Sequence, residues 1–117
     1  NLTYTVNASA AGCPAVAVNV PVTVNPTPVV TATPNPQTIC SGNATGVALS
    51  SNVAGTTFAW STVANGSVTG ETTAGGSGAS ISDVLTNTTS SPVTVTYSVI
   101  PTASACAVGS FNFSTIL

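Results

Sequence analysis

Residues 94–106 read Thr-Val-Thr-Tyr-Ser-Val-Ile-Pro-Thr-Ala-Ser-Ala-Cys, and residues 1–13 read Asn-Leu-Thr-Tyr-Thr-Val-Asn-Ala-Ser-Ala-Ala-Gly-Cys. At an offset of 93, Tyr4 falls on Tyr97 and Cys13 on Cys106, while Thr3, Val6 and Ala10 fall on identical residues. The frame continues without a gap, since Val18, Asn19, Val20 and Val24 fall on Phe111, Asn112, Phe113 and Leu117. A fixed period is the signature of an array of similar modules. The chain therefore divides into residues 1–24, the last two strands of one repeat; residues 25–28, a Pro-rich linker; and residues 29–117, a complete repeat.

The quoted stretch is itself a strand. Val93, Val95, Tyr97 and Val99 alternate with Thr and Ser, the period-2 pattern of a half-buried strand. Working outward, Phe111, Phe113, Thr115 and Leu117 lie on one face of a final strand. Pro101–Ala105 reads as the connection between the two. Upstream, Phe58 and Trp60 share a face within residues 56–62, and Val47 and Leu49 begin another inward face. Asn65-Gly66 reads as a hairpin turn with positive φ at its centre. Thr72–Gly78 reads as a flexible Gly-rich loop, and Ile81 with Val84 or Leu85 marks a further strand. Residues 29–117 give about seven strands with regular turn signals, the pattern of an all-β sandwich. The predicted core is Phe58, Trp60, Val95, Tyr97, Phe111 and Phe113, with Trp60 placed where immunoglobulin-like sandwiches set a Trp beside a disulfide.

In the partial repeat, residues 2–6 form one strand and Ala8–Pro14 a connection. Val16, Val18, Val20, Val22 and Val24 line one face of the second strand. Alone, such a hairpin leaves that face bare, so these valines are predicted to be inter-module or assembly contacts.

Composition excludes whole classes of function. The chain has no Lys, Arg or His, and its only acids are Glu71 and Asp83. Nucleic-acid binding needs cations that displace phosphate counterions, and basic membrane patches need the same groups. Cys or Ser nucleophiles lack a base, and two loop carboxylates lack any tuning partner or further oxygen ligands. No catalytic residue, metal ligand or cofactor is predicted. No apolar run approaches the roughly 20 residues that span a bilayer, so no membrane insertion is expected. The chain starts at Asn1 without a charged-then-apolar leader, and is read as an excerpt or processed product of something longer.

Three cysteines in a β-rich chain with no catalytic partners point to an oxidising compartment. Cys40 and Cys106 form the natural pair inside the complete repeat, a staple worth roughly 4 kcal/mol in the chain-entropy model. Cys13, the copy of Cys106, is then bonded outside this stretch or in another chain. The alternative is three reduced thiols. Asn-x-Ser/Thr sequons at Asn1, Asn7, Asn43, Asn65, Asn87 and Asn112 are possible glycosylation sites in a secreted protein.

Thr38-Ile-Cys-Ser-Gly42, Gly55-Thr-Thr-Phe-Ala-Trp60, Leu85-Thr-Asn-Thr88 and Val95-Thr-Tyr-Ser-Val99, followed by Cys106, resemble the PKD-like or immunoglobulin-like tandem repeats of very large Bacteroidota surface proteins. These include gliding-motility-associated adhesins exported by type IX secretion. The resemblance spans residues 29–117 and implies a non-catalytic sandwich spacer, secreted to the cell surface. Its expected partners are neighbouring repeats or identical subunits, with polysaccharide, host or substratum ligands met by other parts of the protein. Two other readings stand beside it. One is a self-assembling fibre subunit joined by strand complementation, and the other is a carbohydrate-binding module, which needs exposed aromatics.

Overall fold

The computed structural model describes residues 1–104 and 106–117, and among them there is no helix. The protein is an all-β sandwich with a hairpin projecting from one end. Its long axis spans 85 Å against 23 and 19 Å across.

The projecting hairpin pairs β1 (Leu2–Ala10) with β2 (Cys13–Val22). β1 runs on to Ala10, and β2 begins and ends two residues earlier than the sequence pattern predicts, so the connection shrinks from residues 8–14 to Ala11 and Gly12. Gly12 adopts φ 84°, a conformation open to glycine at no steric cost.

The described residues of 29–117 hold eleven strands rather than about seven. They are β3 (Val30–Thr33), β4 (Gln37–Thr38), β5 (Val47–Ser51), β6 (Thr57–Thr62), β7 (Val68–Thr69), β8 (Gly76–Ser77), β9 (Ser80–Ile81), β10 (Thr86–Asn87), β11 (Thr94–Ala103), β12 (Cys106–Ala107) and β13 (Phe111–Ile116). One sheet has the order β3-β5-β9. The facing sheet runs β4-β13-β11-β6-β8, with β12 also on β11, and β7 pairs with β10 apart from both. The surplus is in two-residue pairings, too short to impose an alternation on the sequence.

The core lies between the sheets. Val30, Ala32, Val47, Leu49, Ile81 and Leu85 meet Phe58, Val95, Tyr97, Val99 and Phe113, all buried. Tyr97 and Phe113 stand opposite each other on β11 and β13, with rings stacked at 5.1 Å and 8°. Trp60 and Phe111 are only half-buried and pack against the margin of this core.

Three local expectations are corrected. Thr72–Gly78 is not all loop, because Gly76–Ser77 adds a short strand to the edge of β6. Asn65-Gly66 turns the chain but closes no hairpin, since β6 and β7 belong to different ladders. Gly66 has no positive φ; the Asn65 carbonyl accepts from Val68 N–H, and its side-chain oxygen from Ser67 N–H. Pro101 belongs to β11, which continues to Ala103; of the expected connection, Ala105 lies outside the described residues. The proline is tolerated at a step in the ladder. Pairing to β13 ends at Val99, and pairing to β12 begins at Thr102.

The two ends of the sandwich have distinct contents. At the end where the linker enters, Asn25 donates from Nδ2 to Ser104 O, and Val29 N–H donates to Asn52 Oδ1. At the opposite end lies Leu117, whose backbone exchanges two 2.9 Å hydrogen bonds with Val93. These are called the entry and exit poles below.

Candidate functional site

The hairpin pairs Leu2 with Val22, Tyr4 with Val20, Val6 with Val18 and Ala10 with Cys13. Advanced by the 93-residue offset, these become Val95–Thr115, Tyr97–Phe113, Val99–Phe111 and Ala103–Cys106, each a pair that the sandwich makes. The repeat seen in sequence thus recurs as one register. What differs is the cover. Tyr97 is fully buried beneath the opposite sheet, whereas Tyr4 is 55% exposed. Every residue of β1 and β2 is exposed, and the face formed by Leu2, Tyr4, Val6, Val16, Val18, Val20 and Val22 is bare. Val24 lies beyond β2 and is exposed as well.

Among the described residues the three cysteines are unpaired, which corrects the Cys40–Cys106 staple. The reason is topological. Cys40 follows Thr38, which runs parallel to β13 beside Ile116, so it lies at the exit pole. Cys106 pairs with Ala103 at the entry pole. Thr94, opposite Ile116, is nine residues from Ala103 along β11, roughly 30 Å at the usual strand rise. A disulfide requires Cα atoms within about 7 Å.

Trp60 accordingly has no disulfide beside it; the residues opposite it are Val99 and Gly76. Its indole lies flat on Gly76, where a Cβ would come within 2.3 Å of Nε1. That nitrogen is buried without a hydrogen-bond partner. Trp60, half-buried, also helps line an open groove of about 300 Å³ with Ala59, Gly76, Ser98 and Ile100.

The two carboxylates are structural ties. Asp83 accepts from Thr72 N–H at 2.7 Å, from Thr72 Oγ1 at 2.8 Å and from Tyr97 Oη at 2.9 Å. Glu71 accepts from Asn65 N–H at 3.1 Å. Burial, then the Asp83 hydrogen bond and its negative charge, push the Tyr97 phenol well above its ordinary range. The sequence places Tyr97 in the core but shows no sign of this link, which joins residues brought together only by the fold. Among the described residues no cluster of three or more metal-ligating side chains occurs.

Of the sequon asparagines, Asn1, Asn7, Asn43 and Asn112 are exposed, and Asn65 and Asn87 are half-buried. The Asn87 carboxamide is already engaged, donating to Ser91 O at 2.8 Å and accepting from Thr89 N–H at 2.8 Å. Thr45, the hydroxyl residue of the Asn43 sequon, is buried and donates to Ile81 O at 3.0 Å.

Residues 37–116 match the family model described as a PKD-like domain. No curated protein and no solved structure matches the chain.

Proposed function

The chain belongs to the PKD-like domain family, whose members are generally non-catalytic structural modules, typically extracellular, and from that premise we propose that it is a spacer repeat of a secreted cell-surface adhesin or filament. In this reading residues 1–24 close one sandwich, residues 25–28 lead into the next, and the repeats hold a binding tip away from the cell. Neighbouring repeats are its partners, and contacts with polysaccharide or substratum fall to other parts of the protein. A large Bacteroidota surface protein of the gliding-motility-associated, type IX-secreted kind is the parent that the sequence resemblance favours.

The observation that carries the proposal is the shared register of the β1–β2 and β11–β13 hairpins, one with its apolar face covered and the other bare. A face of that composition is stable only under a second sheet. In an array, the residues that cover it are the preceding counterparts of Val30, Val47, Leu49 and Ile81. The test is the parent gene and the mass of its mature product. Several copies at a period near 93 residues in one chain support the array. A mature chain with one copy sinks it.

The same bare face favours a second reading, a fibre subunit that receives its missing sheet from another copy by strand complementation. That reading predicts separate chains of about 11.3 kDa, linked end to end.

A further inference from the structure

We infer that the cysteines join successive repeats, with Cys106 of each repeat bonded across the junction to the counterpart of Cys40 in the repeat before it. The inference rests on the array reading and follows from where the fold places each thiol.

Cys40 is at the exit pole. β4 runs parallel to β13 with Gln37 beside Thr115 and Thr38 beside Ile116, and Ile39 N–H donates to Ile116 O at 2.9 Å. Continued by one position, this pairing sets Ile39 level with Leu117, and Cys40 level with the residue that follows Leu117. Through the 93-residue frame, Val24 is the preceding counterpart of Leu117, so the residue that follows it is Asn25. The preceding repeat's counterpart of Cys40 therefore lies about one strand spacing, ~4.8 Å, from Asn25.

Cys106 reaches the same point from the other side. The Asn25 carboxamide donates to Ser104 O at 3.2 Å, two residues before Cys106 in the turn that joins β11 to β12. The linker is short and held extended by Pro26 and Pro28, and Pro28 is itself buried, which ties the end of the linker to the sandwich that follows. Exit-pole and entry-pole thiols of successive repeats thus both flank the same linker residue and face one junction, where a disulfide needs Cα atoms about 4.4–6.8 Å apart. Within one repeat the same two residues cannot meet. Cys13, at the far tip of the projecting hairpin, takes its partner from the repeat before its own.

The chemistry balances as an exchange. The Cys106 and Cys40-type thiols lose two protons and two electrons as the S–S bond forms. A disulfide-donating thiol oxidoreductase of the export compartment accepts both, and its own disulfide becomes a dithiol. Each bond closes a loop through the junction, so the repeats become links of a continuous covalent ladder.

The test is peptide mapping of the mature parent chain as isolated, alkylated without reduction and digested with chymotrypsin or thermolysin, since a sequence without Lys or Arg offers trypsin no site. Linked peptides joining each Cys106-type segment to the Cys40-type segment of the repeat before it are expected. A Cys40→Ser variant should free one Cys106-type thiol in the following repeat and leave every other link intact. Alkylated, unlinked thiols at both positions of a multi-repeat chain overturn the inference and leave the array reading standing. Linkage of Cys40 to Cys106 within one repeat also overturns it. Single-copy chains with Cys40 of one bonded to Cys106 of another would sink the array reading while upholding the pole-to-pole pairing.

Discussion

Replacing Tyr97 by Phe removes one oxygen from the core and tests the Asp83 tie directly. The ring can keep its stack on Phe113, so the loss is confined to the hydroxyl and its 2.9 Å bond to Asp83. Hydrogen bonds to a charged acceptor contribute about 1.5–3 kcal/mol. Asp83 is half-buried and keeps both Thr72 donors, which sets the expectation at the low end, about 1.5 kcal/mol at pH 7. For a domain of this size that lowers Tm by roughly 6–12 °C. The pH dependence is the sharper reading. The folded-state pKa of Tyr97 is raised above the ordinary value of 10.0, so its contribution is whole below pH 10. It is lost as pH rises further, because the unfolded chain releases a proton that the folded one retains. The unfolding free energy should then fall by up to about 1.4 kcal/mol per pH unit above pH 10. Urea titrations followed by Trp60 fluorescence, from pH 7 to pH 11.5, measure both effects. Tyr4 and the three thiols are common to both proteins and cancel in the comparison. An identical alkaline slope in the Tyr97→Phe protein, or a loss below about 0.5 kcal/mol at pH 7, would refute the reasoning.

Further outcomes follow from single contacts. Gly76→Ala places a methyl group against the Trp60 indole and should cost about 1–3 kcal/mol, with a red-shifted Trp emission as the ring is forced outward. Leu85→Ala, at a fully buried site, should cost about 2–5 kcal/mol by urea denaturation. Gly70→Ala should be worse than Gly76→Ala, because its Cβ would meet the Val84 carbonyl oxygen, which is backbone, at a φ of 92°; thermal melts of the two variants give the comparison. A chain starting at Asn25 should melt within about 0.5 kcal/mol of the longer one and aggregate less, as judged by light scattering, because β1 and β2 are exposed throughout.

What the sequence makes legible is what repeats or alternates. Val95, Tyr97 and Val99 declare a strand because every second side chain must be apolar, and the 93-residue frame finds a hairpin register that recurs pair for pair. The short pairings have no such signal. Gly76–Ser77 reads as loop until Trp60 is seen lying on Gly76, and Asn65-Gly66 carries a hairpin dipeptide in a turn that moves the chain between ladders. The cysteines mislead for a related reason. Sequence spacing says how long a loop a disulfide would close, but only the direction of β4 along β13 shows that Cys40 and Cys106 lie at opposite poles. The Asp83–Tyr97–Thr72 tie is equally hidden, since it depends on the approach of a loop to the interior end of a phenol.

The placement of linker and terminus at opposite poles has a mechanical consequence. A pull applied through Asn25 and Leu117 acts along the strands, not across them. β13 leaves at the exit pole held between β4 on one side and β11 on the other, while β3 enters in the facing sheet. Drawing the ends apart must slide β13 past both neighbours, so the load falls on a whole row of hydrogen bonds at once. A strand peeled from its end breaks them one after another. Resistance of this kind is set by the unfolding barrier rather than by equilibrium stability. A module of quite ordinary thermodynamic stability can therefore be a stiff element when loaded along its axis.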